Sequence, residues 1–240
     1  KENYIASDIP AILSYTKDFY LLNDQEYAVI TRESITFYDE QLHPFEKKYQ
    51  RIDWDATAAE KNGYPDFMLK EMYEQPSTVR ETIGTRVTAG APTQVDGLDF
   101  TAAQLQNLHQ IYIIGCGTAM HAGLAAKPMF EHLTHIPTQV DVASEFRYRD
   151  PVVDDRTLCI FISQSGETAD TIAALRLAKA AGAATLAVSN VIGSSITREA
   201  DYTVYTHAGP EIAVASTKAY TAQLVAMALV ALFLAQARGN

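Results

Sequence analysis

The sequence predicts an α/β fold: a parallel sheet with helices on both faces, preceded by a small strand-rich segment. Three observations carry this. Short apolar, β-branched runs recur at residues 110–114, 138–143, 158–163, 185–189 and 202–205, with helical periodicity between most of them, and such alternation gives parallel strands joined by crossover helices. Two of the runs stop at a glycine-bearing loop that leads straight into a helical pattern, at 115–119 and 163–168. With 48% hydrophobic residues among 240, the chain can bury one α/β core and a smaller element beside it.

Taken in order, residues 4–49 read as short strands at 18–22, 27–31 and 34–38, separated by Asn23-Asp24 and Arg32-Glu33 turns. Ser7-Asp8-Ile9-Pro10 reads as the start of a short helix, with proline in its first turn. Residues 55–65 are polar and Ala-rich around Asn62-Gly63, as a linker would be. A helix over 66–74 is expected to end before Pro76, and a second to run from 77 to about 88. The α/β unit opens near Thr101, with helices at 120–133, stopped by His135-Ile136-Pro137, and at 169–182. Residues 224–235 are strongly apolar, bracketed by Gln223 and Gln236, and too short to span a bilayer; a buried helix is expected there, and no membrane partner.

The chemistry concentrates at Ser163-Gln164-Ser165-Gly166-Glu167-Thr168. A buried-type strand ends there, a helix begins, and three hydroxyls and an amide gather round one glycine. The first N–H groups of a helix lack intrahelical partners and carry the positive end of the macrodipole. An anion at that point gains backbone donors, hydroxyl donors and a favourable field together. The loop holds no lysine or arginine, so hydrogen bonds must do the neutralising, which suits a phosphate ester that has to leave again. One Ser or Thr would be an ordinary helix cap; four polar groups around a glycine exceed that role.

Gly115-Cys116-Gly117-Thr118-Ala119 repeats the arrangement and presents Thr118 at a second helix N-terminus. A dinucleotide site is poorly supported, because the third fingerprint glycine is Met120 and Asp141 opens its strand instead of ending it. His132 and His135 beside Glu131 lack a third ligand at metal-binding spacing. Phe161 removes the G-x-S-x-G frame of a hydrolase. Glu145, Arg147 and Arg149 could bind substrate, but an inter-segment salt-bridge cluster is the favoured reading, and Lys218 is expected to be structural.

A net charge of −10 argues against a nucleic-acid surface. Two cysteines, Cys116 in a glycine turn and Cys159 in mid-strand, form no disulfide framework and read as free thiols in a reducing, cytoplasmic compartment.

Cys116-Gly117-Thr118, the run from Ala143 to Arg149, S-x-S-G-x-T at 163–168, Glu211 to Ala219 and Lys70-Glu71-Met72-Tyr73-Glu74-Gln75-Pro76 together resemble the sugar isomerase (SIS) domain family, in particular its glutamine-dependent aminotransferases. The resemblance implies a three-layer sandwich around the parallel sheet. It implies that Ser163, Gln164, Ser165 and Thr168 hold the phosphate of fructose 6-phosphate or glucosamine 6-phosphate, that Cys116, Gly117 and Thr118 line the pocket, and that Val214, Ala215 and Ser216 contact the sugar from the other side. Ala119 stands where serine is common, removing one phosphate donor. It further implies a glutaminase remnant at 1–54, a linker at 55–75 and a first SIS domain at 76–240, in an excised piece that binds sugar phosphate without turning it over. No cofactor is implied. A homodimer is expected through SIS-half surfaces, with the N-terminal strands packed on their own or the partner's α/β unit; the alternative is a monomer in which residues 224–235 form a core helix of their own domain. The rival reading is a non-catalytic SIS sensor of sugar phosphate.

Overall fold

The structure, a computed structural model, describes residues 2–6, 12–13, 15–23, 25–52 and 61–239. They form two compact units divided between Pro65 and Asp66. The short helix expected at 7–10 and residues 55–60 of the expected linker lie outside the described residues.

The first unit holds five short strands: β1 (Asp18–Phe19), β2 (Tyr27–Ile30), β3 (Ile35–Tyr38), β4 (Pro44–Phe45) and β5 (Gln50–Arg51). β1 pairs with β5, and β2-β3-β4 form a separate sheet, all antiparallel. The β2–β3 turn closes where the Thr31 amide donates to the Ser34 carbonyl at 2.8 Å. Leu13, Phe19 and Ile52 form this unit's small core.

The second unit opens with α1 (Phe67–Ile83), whose N-terminus is capped by the Asp66 carboxylate accepting from the Leu69 amide at 2.7 Å. The expected break at Pro76 does not occur, and one helix covers both expected ones. Proline deprives the Met72 carbonyl of its donor, and the Gln75 side-chain amide supplies another at 3.1 Å. Residues 67–74 are helical as expected, and 66–75 fall within this compact unit.

Next come α2 (Ala102–Asn107), β6 (Gln110–Gly115), α3 (Thr118–Thr134), β7 (Thr138–Val142), α4 (Ala143–Tyr148), β8 (Thr157–Ser163), α5 (Ala169–Ala180), β9 (Ala184–Ser189), α6 (Ser195–Glu199), β10 (Tyr202–Tyr205) and α7 (Lys218–Arg238). The five strands pair in parallel in the order β10-β9-β8-β6-β7. Side chains alternate across the sheet as a period of two demands. Ile111, Ile113, Leu158, Ile160, Ile162, Leu186 and Val188 pack with α3 and α7 on one face. Tyr112, Ile114, Cys159, Phe161 and Ala187 pack with α4, α5 and α6 on the other. The result is the expected three-layer α/β sandwich, with β8 wholly buried at its centre.

The apolar 224–235 run is the interior of a longer helix. α7 is long and apolar enough to cross a membrane by length and composition, yet more than half of that stretch is buried. Ala226, Met227, Val230, Ala231 and Leu234 are inaccessible to solvent, in the core shared with α3 and the sheet. One side of this helix thus covers its own core, as expected of a buried helix, while Leu224, Val225 and Ala228 are only partly buried and Leu232 is exposed.

Candidate functional site

The strand order decides where a ligand can sit. β6 runs to β7 on one side and β8 continues on the other, so the connections after β6 and after β8 leave in opposite directions. They open a crevice at the carboxyl ends of these two strands, the switch point at which open α/β sheets bind ligands. A cavity of about 230 Å³ occupies that place. It has room for a small phosphorylated molecule rather than a dinucleotide.

One wall is the loop after β8. Ser163, Gln164, Ser165 and Thr168 all line the cavity. The Ser163 hydroxyl accepts from the Gly166 amide at 3.0 Å and lies 3.2 Å from the Thr168 hydroxyl. Ser165 Oγ accepts from the Glu167 amide at 3.2 Å. Thr168 occupies the N-cap of α5, yet its side chain makes no capping bond to that helix; it turns to Ser163 instead.

This loop is braced from behind. The Gln164 carbonyl accepts from the Asn190 amide at 3.2 Å, the Gly166 carbonyl from Ile196 at 3.0 Å, and Glu167 Oε1 from the Ser195 amide at 2.7 Å. Gly166 has φ +71°, and a Cβ there would lie 2.0 Å from Ser194 Oγ. Only glycine meets both conditions. Asp170, in the first turn of α5, would repel an anion, but Arg147 pairs with it at 2.8 Å. Arg149 likewise pairs with Asp141 at 2.7 Å, so both arginines sit in inter-segment ion pairs.

The second wall is the turn after β6. Cys116, Thr118 and Ala119 line the cavity. Gly117, with φ +56°, is the N-cap of α3 and shapes the turn without lining it. The Cys116 thiol lies 3.8 Å from the Thr171 hydroxyl, whereas Cys159 is sealed in the core, where burial pushes its thiol up to about 12.

The third wall is the irregular segment between β10 and α7. Glu211, Ala213, Val214 and Ser216 line the cavity; Ala215 is exposed beside them and does not. Glu211 Oε1 accepts from the Thr217 amide at 2.9 Å and the Ala219 amide at 3.1 Å. It thereby caps α7, whose own N-cap Thr217 makes no side-chain bond. Lys218 is buried against Glu74 at 2.7 Å, a structural position. Eight of the ten expected site residues thus meet at one cavity, with Gly117 and Ala215 between them in the chain.

Sequence reasoning missed Gln223. It lines the cavity from α7, is 2% exposed, and its Oε1 has no hydrogen-bond partner. The available signal was a lone amide at the head of an apolar helical run.

The sequence matches the family model of the SIS domain over residues 104–234. The chain belongs to the SIS domain family. Its SIS domain thus includes β6 to β10 and most of α7. The chain is 55% identical over 234 residues to glutamine–fructose-6-phosphate aminotransferase [isomerizing] of Clostridium acetobutylicum, covering 98% of this chain and 38% of that protein. It is 50% identical over 238 residues to the enzyme of the same name from Thermus thermophilus, covering 99% and 39%. It thus spans about two fifths of the length of these curated relatives. Among solved structures, the C-terminal domain of glucosamine-fructose-6-phosphate aminotransferase from Francisella tularensis aligns with a TM-score of 0.70 at 44% identity, covering 75% of this chain and 50% of that one.

Proposed function

We propose that this chain is the sugar-phosphate-binding part of a glutamine–fructose-6-phosphate aminotransferase, and that its ligands are fructose 6-phosphate and the product glucosamine 6-phosphate. The observation that carries the proposal is the hydroxyl set Ser163, Ser165 and Thr168 at the N-terminus of α5, with the Thr168 side chain making no capping bond to its own helix. A phosphate there would accept from these hydroxyls and from the first amides of α5, in the field of the helix dipole. The sugar would extend toward Thr118 and, across the cavity, toward Val214 and Ser216, with Cys116 and Gln164 between them and Gly117 and Ala215 setting the backbone of the two walls.

On this reading the 240 residues bind and orient the sugar phosphate. Amide hydrolysis of glutamine and the acid–base steps of ammonia transfer and isomerisation belong to the longer enzyme, as supported by the two-fifths coverage of the relatives. The N-terminal strands, about 1–54, would be the end of the glutaminase half. The free thiols suit a cytoplasmic enzyme. A homodimer through SIS-half surfaces is part of this reading. Light scattering at micromolar concentration is expected to give twice the chain mass, and a monomer mass would remove the dimer.

Calorimetric titration of the 240-residue chain tests the function. Both hexose phosphates are expected to bind while fructose does not, and glucosamine 6-phosphate formation is expected to be undetectable. Binding of neither phosphate would overturn the assignment.

A further inference from the structure

The Lys70-Glu71-…-Glu74-Gln75 motif has no place in the cavity, yet Glu71 bonds to the segment that forms its third wall, and Glu74 and Gln75 bond to the first turn of α7 directly after it. Glu71 Oε1 accepts from the Ile212 amide at 2.6 Å and the Ala213 amide at 3.1 Å. Glu74 Oε2 pairs with Lys218 at 2.7 Å, and Lys70 with Glu74 Oε1 at 3.4 Å. Gln75 Oε1 accepts from the Thr221 hydroxyl at 2.6 Å. Positions i, i+1, i+4 and i+5 share one face of a helix, and this face of α1 covers residues 212–221.

The segment it holds has no regular structure between Tyr205 and Lys218; the Thr206 amide still donates to the Ser189 carbonyl of β9 at 3.0 Å, and the amides beyond it have no ladder to join. Its first turn is fixed by Asn190, whose Oδ1 accepts from the Ala208 amide at 2.8 Å and whose Nδ2 donates to the Gly209 carbonyl at 2.6 Å. Its last turn is fixed by Glu211 at the start of α7. Only Glu71 holds the middle, immediately before Val214 and Ser216, among the hydrogen bonds of the described residues.

Glu71 is 1% exposed and its Oε2 makes no hydrogen bond. A buried carboxylate is expensive to keep where packing alone is needed. Its two charge-assisted bonds are the strongest contacts available to a segment without a ladder. We propose that Glu71 is a positioning residue: it fixes the distance of the Ala213–Ser216 wall from the phosphate loop and so sets affinity for the sugar rather than for the phosphate. This rests on the sugar-phosphate reading above.

The test uses the 240-residue chain with Glu71→Ala, Glu71→Gln and Glu71→Asp, titrated with fructose 6-phosphate and with inorganic phosphate. Glu71→Ala is expected to weaken fructose 6-phosphate roughly tenfold or more, from the loss of two bonds to a charged acceptor, and to leave inorganic phosphate within about twofold. Glu71→Gln keeps an acceptor oxygen and is expected within about threefold of wild type for both ligands. Glu71→Asp withdraws the oxygens by one methylene and is expected to lose sugar affinity selectively; it carries the test should the alanine variant not fold. Equal losses for the two ligands, or no loss of fructose 6-phosphate, would overturn the proposal. Hydrogen exchange provides a readout independent of ligand. The Ile212 and Ala213 amides are expected to be protected in wild type and in Glu71→Gln, and to exchange faster in Glu71→Asp. Equal exchange in wild type and Glu71→Asp would overturn the clamp itself, whereas failure of the wild type to bind fructose 6-phosphate would overturn the functional reading instead.

Discussion

Replacing Gly166 by alanine puts the loop after β8 under a load that can be worked out from its surroundings. Two costs add. A side chain at φ +71° incurs about 1–2 kcal/mol of left-handed backbone strain. The new Cβ would also stand 2.0 Å from Ser194 Oγ, 2.5 Å from Ser194 Cβ and 3.0 Å from Ser189 Oγ. Rotating the Ser194 hydroxyl removes the first contact but not the second, so backbone must move, at roughly 1–3 kcal/mol for overpacking. The total is about 2–5 kcal/mol. Gly90 is the control, since φ is +78° and nothing lies within 4 Å of its would-be Cβ; Gly90→Ala carries the strain without the collision. In thermal melts Gly166→Ala is expected to fall below Gly90→Ala by roughly 2–12 °C, at about 2–4 °C per kcal/mol for a unit of this size. Adding Ser194→Gly, which deletes both of the nearest atoms, is expected to restore most of that difference. Equal melting of the two alanine variants would refute the argument that Gly166 is held by close packing against Ser194.

Three further outcomes follow from the same geometry. At pH 8 a thiol held at about 12 is ionised in roughly one molecule in 10⁴, so alkylation is expected to modify Cys116 alone in the folded chain and Cys159 only in denaturant; two equally fast thiols would contradict the core assignment. Ala119→Ser restores a hydroxyl at the cavity edge and is expected to tighten fructose 6-phosphate up to roughly tenfold, the low end for one bond to a charged group; unchanged affinity in titration would place the phosphate elsewhere. Gln223→Leu leaves a similar volume without the unpartnered Oε1. It is expected to weaken fructose 6-phosphate about threefold to tenfold while sparing inorganic phosphate, and loss of both ligands alike would remove Gln223 from the sugar side.

The sheet and the hydroxyl-rich loop after β8 were legible because their determinants are local. The run from Leu158 to Ser163 is apolar throughout because β8 is buried on both faces, and glycine and hydroxyls mark where it must turn. The continuity of α1 was not legible, since proline is an ordinary helix breaker and the compensating Gln75 amide acts only once the helix exists. The start of α7 was hidden for a related reason: its cap comes from Glu211, seven residues before Lys218, across a segment with no regular pattern. Gln223 was read as the border of an apolar run, when tertiary packing turns it into a cavity residue. The apolar run at 224–235 was legible as a buried helix, although periodicity reports that a face is covered and not which elements cover it.

The most direct measurement of the central claim is calorimetric titration of fructose 6-phosphate into wild type and Thr168→Val. The substitution keeps the shape of the N-cap residue and deletes the hydroxyl that lies 3.2 Å from Ser163 Oγ and makes no bond to α5. Loss of one hydrogen bond to a charged group, worth about 1.5–3 kcal/mol, predicts an affinity at least roughly tenfold weaker with the melting temperature little changed. Wild-type affinity in Thr168→Val would contradict the assignment of this loop as the phosphate site.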